Sequence, residues 1–317
     1  MPIISQSASG KAILLGEHAV VYGQPAIAIP ISSRRVTVRI EPNLTGPSGK
    51  LRVIAPILDL DLDYMDLPES HPIYQAISLT LMELEIEQIP TCTLNISTNL
   101  TVSSGLGFSA ALAVAIIKAL GEFLGHPLDL ETVNRLAFIC ETFVHGHPSG
   151  IDNTTVTYEK PILFQKGFEP KMLKPNKALH FVLADSGIRK STHDTVAQLR
   201  EELTLNPDYV QTRIEEIGNL VRKASPNLTD VNRALQADLI NRNQEILREL
   251  YLSCPELDRL IDIALSNGAL AAKLTGGGKG GHMLALVEES QIENVFSALN
   301  QASGGKAFHT SLLAEEN

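Results

Sequence analysis

Five of the six residues from Gly276 to Gly281 are glycine, and the runs on either side, ALAAKLT and HMLALV, are strand-like. An ordinary two-residue hairpin turn needs only one or two glycines, and each extra one adds unfolded-state entropy that folding must overcome. Such a density implies a backbone that closely approaches a ligand or another loop, with Lys279 in its midst as a candidate phosphate partner. A second glycine segment, SSGLGFSAALAVAI at residues 103–116, follows the strand-like CTLNIS and opens a helix. Gly105 and Gly107 permit backbone angles closed to other residues, and Ser109, Ala110 and Ala111 start a helix whose first N–H groups are unpaired. That arrangement suits a polyphosphate. A glycine turn before a buried helix is the alternative, because neither the P-loop ending nor the dinucleotide pattern is present.

Around these loops the chain reads as mixed α and β. Residues 11–15, 27–31, 35–40 and 92–96 read as strands, and 72–87, 109–124 and 130–144 as helices, with Asp129 as N-cap of the last. The broken, lysine-rich stretch 167–177 suggests a boundary near residue 175, dividing the chain into domains 1–175 and 176–317. In the second part a strand at 180–185 precedes helices at 192–204, 207–224, 229–240, 242–252 and 255–266. A strand, the glycine turn, a strand, a helix at 289–300 and a strand at 306–311 follow. Strand and helix units of this kind make an α+β sandwich.

Charge and composition exclude several classes. Lys and Arg number 26 against 36 Asp and Glu, a net charge of −10, and no basic stripe exceeds two residues, so nucleic acid is not an expected partner. The apolar run 110–117 is broken by Lys118, far short of the roughly 20 residues a bilayer span needs, and no secretion signal is read at the N-terminus. Cys92, Cys140 and Cys254 form neither a disulfide framework nor a zinc spacing. A cytoplasmic, membrane-free protein is expected.

Two further segments carry chemistry. ASGKAILLGEHAVVYG at residues 8–23 puts Lys11 at the start of an apolar strand and Glu17 and His18 at its end. CETFVHGHPSGIDN at residues 140–153 carries Glu141 on a helix and Asp152 in the loop after it. His145 and His147 lack a third ligand, which argues against zinc. Taken together, the four segments supply what phosphoryl transfer with Mg²⁺ requires: phosphate-binding N–H groups, hard oxygens for the metal, a base and a cation. Spacing alone does not say which carboxylate does which job.

GKAILLGEHAVVYGQPAIA, the GLGFSAA loop, HPSGIDN and KLTGGGKGG resemble, in order, the motifs of the GHMP family of small-molecule kinases, over about residues 8–287. The GEHAVVYG form resembles the branch of that family that acts on mevalonate. The resemblance implies an N-terminal domain like ribosomal protein S5 domain 2, a C-terminal ferredoxin-like sandwich, and ATP and substrate in a cleft between them. It implies ATP-dependent phosphorylation of the C5 hydroxyl of mevalonate, with Asp152 as base and Lys11 lowering the pKa of that hydroxyl. Ser109 and Glu141 would hold Mg²⁺. Ser103, Ser104, Gly105, Leu106, Gly107, Phe108, Ser109, Ala110 and Ala111 would wrap the ATP phosphates. Glu17, His18, Thr192, Gly277 and Lys190 would contact substrate, Lys190 pairing with its carboxylate, and a homodimer is a family-level expectation.

Three residues depart from the family pattern. Phe108 stands where a serine is usual, Thr101 where the motif starts with proline, and Lys190, beside Arg189, where many members carry arginine. A lysine presents a point charge in place of a planar fork, which loosens carboxylate recognition. A kinase for a related substrate such as phosphomevalonate, or a nucleotide-binding regulator without catalysis, are the competing readings. Retention of Lys11, Ser109, Glu141 and Asp152 together counts against the regulator.

Overall fold

Strands β3 (Leu51–Ala55) and β5 (Cys92–Thr98) alternate buried with less buried positions, whereas β8 (Leu179–Asp185), β9 (Ala271–Thr275) and β10 (His282–Val287) are buried almost throughout, so the two sheets they belong to are covered differently. The computed structural model describes residues 2–43, 49–102, 104–146, 148–190, 192–230 and 233–314. Two compact units are interleaved along the chain. One comprises Met1–Gly10, Arg34–Val102 and Gly107–Glu159, the other Lys11–Ser33, Ser103–Leu106 and Lys160–Asn317. Strands β1 (Ile4–Leu15) and β2 (Ala26–Pro42), which pair with each other, run from one unit into the other.

In the first unit β3 (Leu51–Ala55) lies between β4 (Leu60–Asp63), antiparallel, and β5 (Cys92–Thr98), parallel. Strand β5 then pairs antiparallel with Val36–Pro42 of β2. Helices α1 (Pro72–Glu83), α2 (Phe108–Phe123), α3 (Leu130–His145) and α4 (Ile151–Tyr158) pack on one another. From Ala110 to Ile117 α2 is buried all round, as a central helix must be when it is apolar on every face. Asp129 caps α3 as expected, accepting from Thr132 N at 2.8 Å.

In the second unit the start of β2 pairs with β6 (Ile162–Phe164), and β6 with β7 (Lys171–Met172). A separate antiparallel sheet has the order β11-β8-β10-β9, from β8 (Leu179–Asp185), β9 (Ala271–Thr275), β10 (His282–Val287) and β11 (Ala307–Leu312). That is the strand order of a ferredoxin-like sandwich, with α8 (Pro255–Ser266) and α9 (Ile292–Ala302) packed on the sheet. Helices α5 (Thr192–Leu205), α6 (Pro207–Asp230) and α7 (Arg233–Glu249) complete the unit. Among the described residues no helix is long and apolar enough to cross a membrane.

The structure corrects several expectations. The strands expected at 27–31 and 35–40 are one strand, β2, and the exposed pair Ser32-Ser33 marks where it leaves one unit's core for the other's. The helices expected at 229–240 and 242–252 are a single helix, α7. Its polar run Asn241-Arg242-Asn243-Gln244 suggests a break, yet it faces the edge strand β9. Asn241 Oδ1 accepts from Ala272 N at 3.2 Å and Gln244 Oε1 from Leu274 N at 2.9 Å, satisfying an open sheet edge. Within the acidic stretch 59–66, Arg52 forks onto Asp61 at 2.6 and 2.8 Å across the β3–β4 pair, and Asp63 accepts from Met65 N.

Candidate active site

β1 ends in a turn that only one residue type can make. A Cβ on Gly16, whose φ is +103°, would lie 2.6 Å from Ala26 Cα. Glu17 and His18 follow, both buried, and His18 itself sits at φ +60° before the one-turn helix Ala19–Tyr22. The Glu17 carboxylate is paired with Lys273 of β9, and neither side chain has any solvent exposure. Burial pushes the Glu17 carboxyl up and the Lys273 ammonium down, each opposed by the other's charge. His18 Nε2 faces Gly277 O at 3.0 Å and therefore donates, which leaves Nδ1 the acceptor. Burial lowers the ring's pKa to about 4, so it is neutral near pH 7. Among the described residues Glu17 Oε2 and His18 Nδ1 are buried without a hydrogen-bond partner.

The glycine loop explains its own composition. A Cβ on Gly276 would stand 3.2 Å from Gly105 O, on Gly278 2.2 Å from Leu252 O, on Gly280 2.7 Å from Ile188 O, and on Gly281 3.0 Å from Ser104 O. These glycines admit other backbone segments, two of which belong to the loop before α2. His282 Nδ1 against Ser104 O at 3.2 Å adds a further tie. Lys11, buried in β1, donates its backbone N–H to Leu106 O at 2.9 Å, which binds the lysine-bearing strand to the same loop. Ser104, Gly105 and Leu106 are thus held from two sides, while Ser103 lies outside the described residues.

The cations near the start of α5 have different fates. Arg189 forks onto the buried carboxylate of Asp185 at 2.7 and 2.6 Å, so it serves that carboxylate. Burial would raise the Asp185 carboxyl, but Arg189 and the Gly187 N–H hold it below its usual range. Lys190 is exposed. Lys279, the candidate phosphate partner of the glycine loop, directs its ammonium to Gln198 Oε1. Thr192 is the first residue of α5.

In the first unit Gly107, at φ +75°, caps α2 by backbone geometry alone, leaving the leading N–H groups of the helix for an outside acceptor. Phe108, half-buried, is the first helical residue and Ser109 the second. Ser109 Oγ lies 3.4 Å from His145 Nε2, and that nitrogen lies 3.6 Å from Oε2 of the buried Glu141. One imidazole thus marks the position on which the serine hydroxyl and the carboxylate converge. A hydroxyl and a buried carboxylate are hard oxygen donors, and they fit a Mg²⁺ that keeps water and phosphate as its other ligands.

Asp152 lies in the first turn of α4, not in a loop as the sequence suggests. The sequence pattern hides this helix because it is short and threonine-rich, and its N-cap is Gly150 at φ +95° with no side-chain cap. Thr154 Oγ1 donates to Gly150 O at 2.7 Å, and Asn153 Nδ2 to Asn134 Oδ1 at 2.6 Å, which ties α4 to α3. Asp152 is half-buried at the positive end of the helix dipole.

Lys273 escapes sequence reasoning. The signal was a single lysine inside the apolar run ALAAKLT, a position that demands a buried partner.

The sequence matches the N-terminal domain of GHMP kinases over residues 71–160 and the GHMP kinase C-terminal domain over residues 225–305. A mevalonate kinase of Thermococcus gammatolerans is 34% identical over 315 residues, covering 94% of this chain and 93% of the relative. The corresponding protein of Pyrococcus furiosus is 33% identical, with 94% and 93% covered. Among solved structures, L. major mevalonate kinase in complex with R-mevalonate aligns with a TM-score of 0.85 at 28% identity, over 99% of this chain and 97% of that one. The Methanococcus jannaschii mevalonate kinase gives 0.84 at 26%, over 99% and 98%.

Proposed function

The chain belongs to the GHMP kinases, and from that premise we propose that it transfers the γ-phosphoryl group of ATP to the C5 hydroxyl of mevalonate, giving 5-phosphomevalonate and ADP. The observation that carries this reading is the likeness to mevalonate kinases over 94% of the chain. It is supported by a segment, Gly16 to His18, rigid enough to present two buried acceptors.

Each residue's part follows from its chemistry. Asp152 takes the proton from the C5 hydroxyl, and Lys11 stabilises the negative charge that develops on the attacking oxygen. Backbone N–H groups of residues 103–111 hold the ATP phosphates at the start of α2. Ser109 and Glu141 hold Mg²⁺, which when bound neutralises phosphate charge during transfer. Glu17 and His18 accept hydrogen bonds from substrate. Gly277 holds His18, Thr192 supplies a hydroxyl, and Lys190 pairs with the mevalonate carboxylate. The N-terminal domain to about residue 175 carries Lys11, the phosphate loop and Asp152, and residues 176–317 carry the glycine loop. A cytoplasmic homodimer is the proposed setting.

The test is coupled ADP release with mevalonate, phosphomevalonate and a set of sugars. Turnover with mevalonate at a kcat/KM at least tenfold above the others is expected, since about 1.4 kcal/mol of discrimination gives that ratio. Turnover of none, with ATP still bound, would leave a nucleotide-binding regulator.

A further inference from the structure

Lys273 occupies the centre of β9, a strand buried at every position. A fully covered ammonium persists only with partners, and it has the Glu17 carboxylate and Leu274 O, the latter at 2.6 Å. The same short stretch of chain grips two consecutive residues. Lys273 holds Glu17 through Oε1, and Gly277 O holds His18 through Nε2. Positive φ at a non-glycine such as His18 survives only where its surroundings over-determine it, and these two ties do so. Their other atoms, Glu17 Oε2 and His18 Nδ1, stay buried acceptors with no donor among the described residues.

We propose that Lys273 is a positioning residue for substrate recognition: it keeps Glu17 a carboxylate in one rotamer, so that Oε2 accepts a hydrogen bond from a substrate hydroxyl. The proposal rests on the reading of Glu17 and His18 as substrate contacts. Two acceptors on consecutive residues, one of them a carboxylate oxygen, suit a hydroxyl and disfavour a carboxylate or phosphate, so they orient a hydroxy acid by its alcohol end. Without Lys273, Glu17 is a buried carboxylate left with only the weaker attraction of Lys11 against the cost of burial. It takes up a proton, and the acceptor becomes a donor.

The test is a double-mutant cycle of Lys273→Met and Glu17→Gln, with KM for mevalonate, KM for ATP and thermal midpoint measured on each folded variant. Loss of one hydrogen bond to a charged acceptor corresponds to about 10- to 100-fold in KM. Each single variant is expected to raise KM for mevalonate by that factor, with KM for ATP within about twofold, and the double variant to be no worse than the worse single. A Lys273→Met variant with an unchanged KM for mevalonate, or with both KM values raised together, overturns the proposal. Should that variant not fold alone, the comparison is the double variant, which buries neither charge, against Glu17→Gln, in which the covered Lys273 loses its counter-charge and keeps Leu274 O as its partner. A further rise in KM for mevalonate in the double shows that Lys273 does not act through Glu17. An unchanged KM in Glu17→Gln itself instead removes Glu17 from the substrate site, and absence of wild-type turnover on mevalonate removes the proposed function.

Discussion

Gly278→Ala is the sharpest probe of why the glycine loop exists. A Cβ there would stand 2.2 Å from Leu252 O, the same carbonyl that accepts from Lys279 N at 2.8 Å. An ordinary contact is about 3.5 Å, so the loop or Leu252 must shift by about 1 Å and that hydrogen bond is lost, which costs about 1 kcal/mol. The positive φ of +73° adds about 1–2 kcal/mol for a residue with a side chain, and the total is about 2–3 kcal/mol. Gly304 provides the matched control. Its φ is +66°, yet nothing lies within 4 Å of its Cβ position, so Gly304→Ala costs the backbone contribution of about 1–2 kcal/mol alone. With an unfolding entropy of about 2.1 cal/mol/K per residue, about 1 kcal/mol of extra cost lowers the thermal midpoint roughly 1.5 °C further in Gly278→Ala than in Gly304→Ala. Differential scanning calorimetry on both variants measures the difference. Equal shifts in the two would refute the crowding argument. Equal shifts with a raised KM for ATP in Gly278→Ala alone would mean that the loop is glycine-rich to admit a ligand.

Asp152→Asn should lower kcat by about 10²- to 10⁴-fold with ATP affinity nearly unchanged, measured by steady-state kinetics and nucleotide titration; a near-normal kcat removes Asp152 as the base. Glu141→Gln should raise the Mg²⁺ concentration giving half-maximal rate by about tenfold or more, and an unchanged Mg²⁺ dependence would take Glu141 out of the metal site. His18 predicts a pH effect on stability. Folding lowers its pKa from 6.5 to about 4, so between those values the unfolded chain binds more protons and stability falls as pH falls. The loss from this one residue approaches about 3 kcal/mol once pH is below 4, and His18→Gln should flatten the acid side of the melting profile by that amount.

Much of the candidate site is legible in the sequence because its residues sit in local patterns. The loop before α2, the Gly16-Glu17-His18 turn and the glycine loop each announce themselves by composition. What the sequence conceals is tertiary. Nothing local shows that the glycines of 276–281 face Gly105, Leu252, Ile188 and Ser104. Asn241 and Gln244 look like a helix break because their partners, the edge groups of β9, lie some 30 residues further along the chain. Strand β2 looks like two strands because its burial pattern changes where it passes between units. A linear boundary near residue 175 and the interleaved units divide the chain on different grounds, one by order along the chain and the other by contact. Arg189 and Lys190 cannot be ranked from sequence, since only the fold reveals that Asp185 claims Arg189.

The oxygen that receives the phosphoryl group defines the proposed reaction. Phosphorus NMR of a reaction containing ATP, Mg²⁺ and R-mevalonate, with Asp152→Asn as the blank, tests it directly. A new phosphomonoester signal is expected, split by the two protons of the C5 methylene, growing in step with ADP and strongly slowed in the blank. A phosphoester on the tertiary C3 oxygen, inorganic phosphate alone, or equal product from the blank would contradict it.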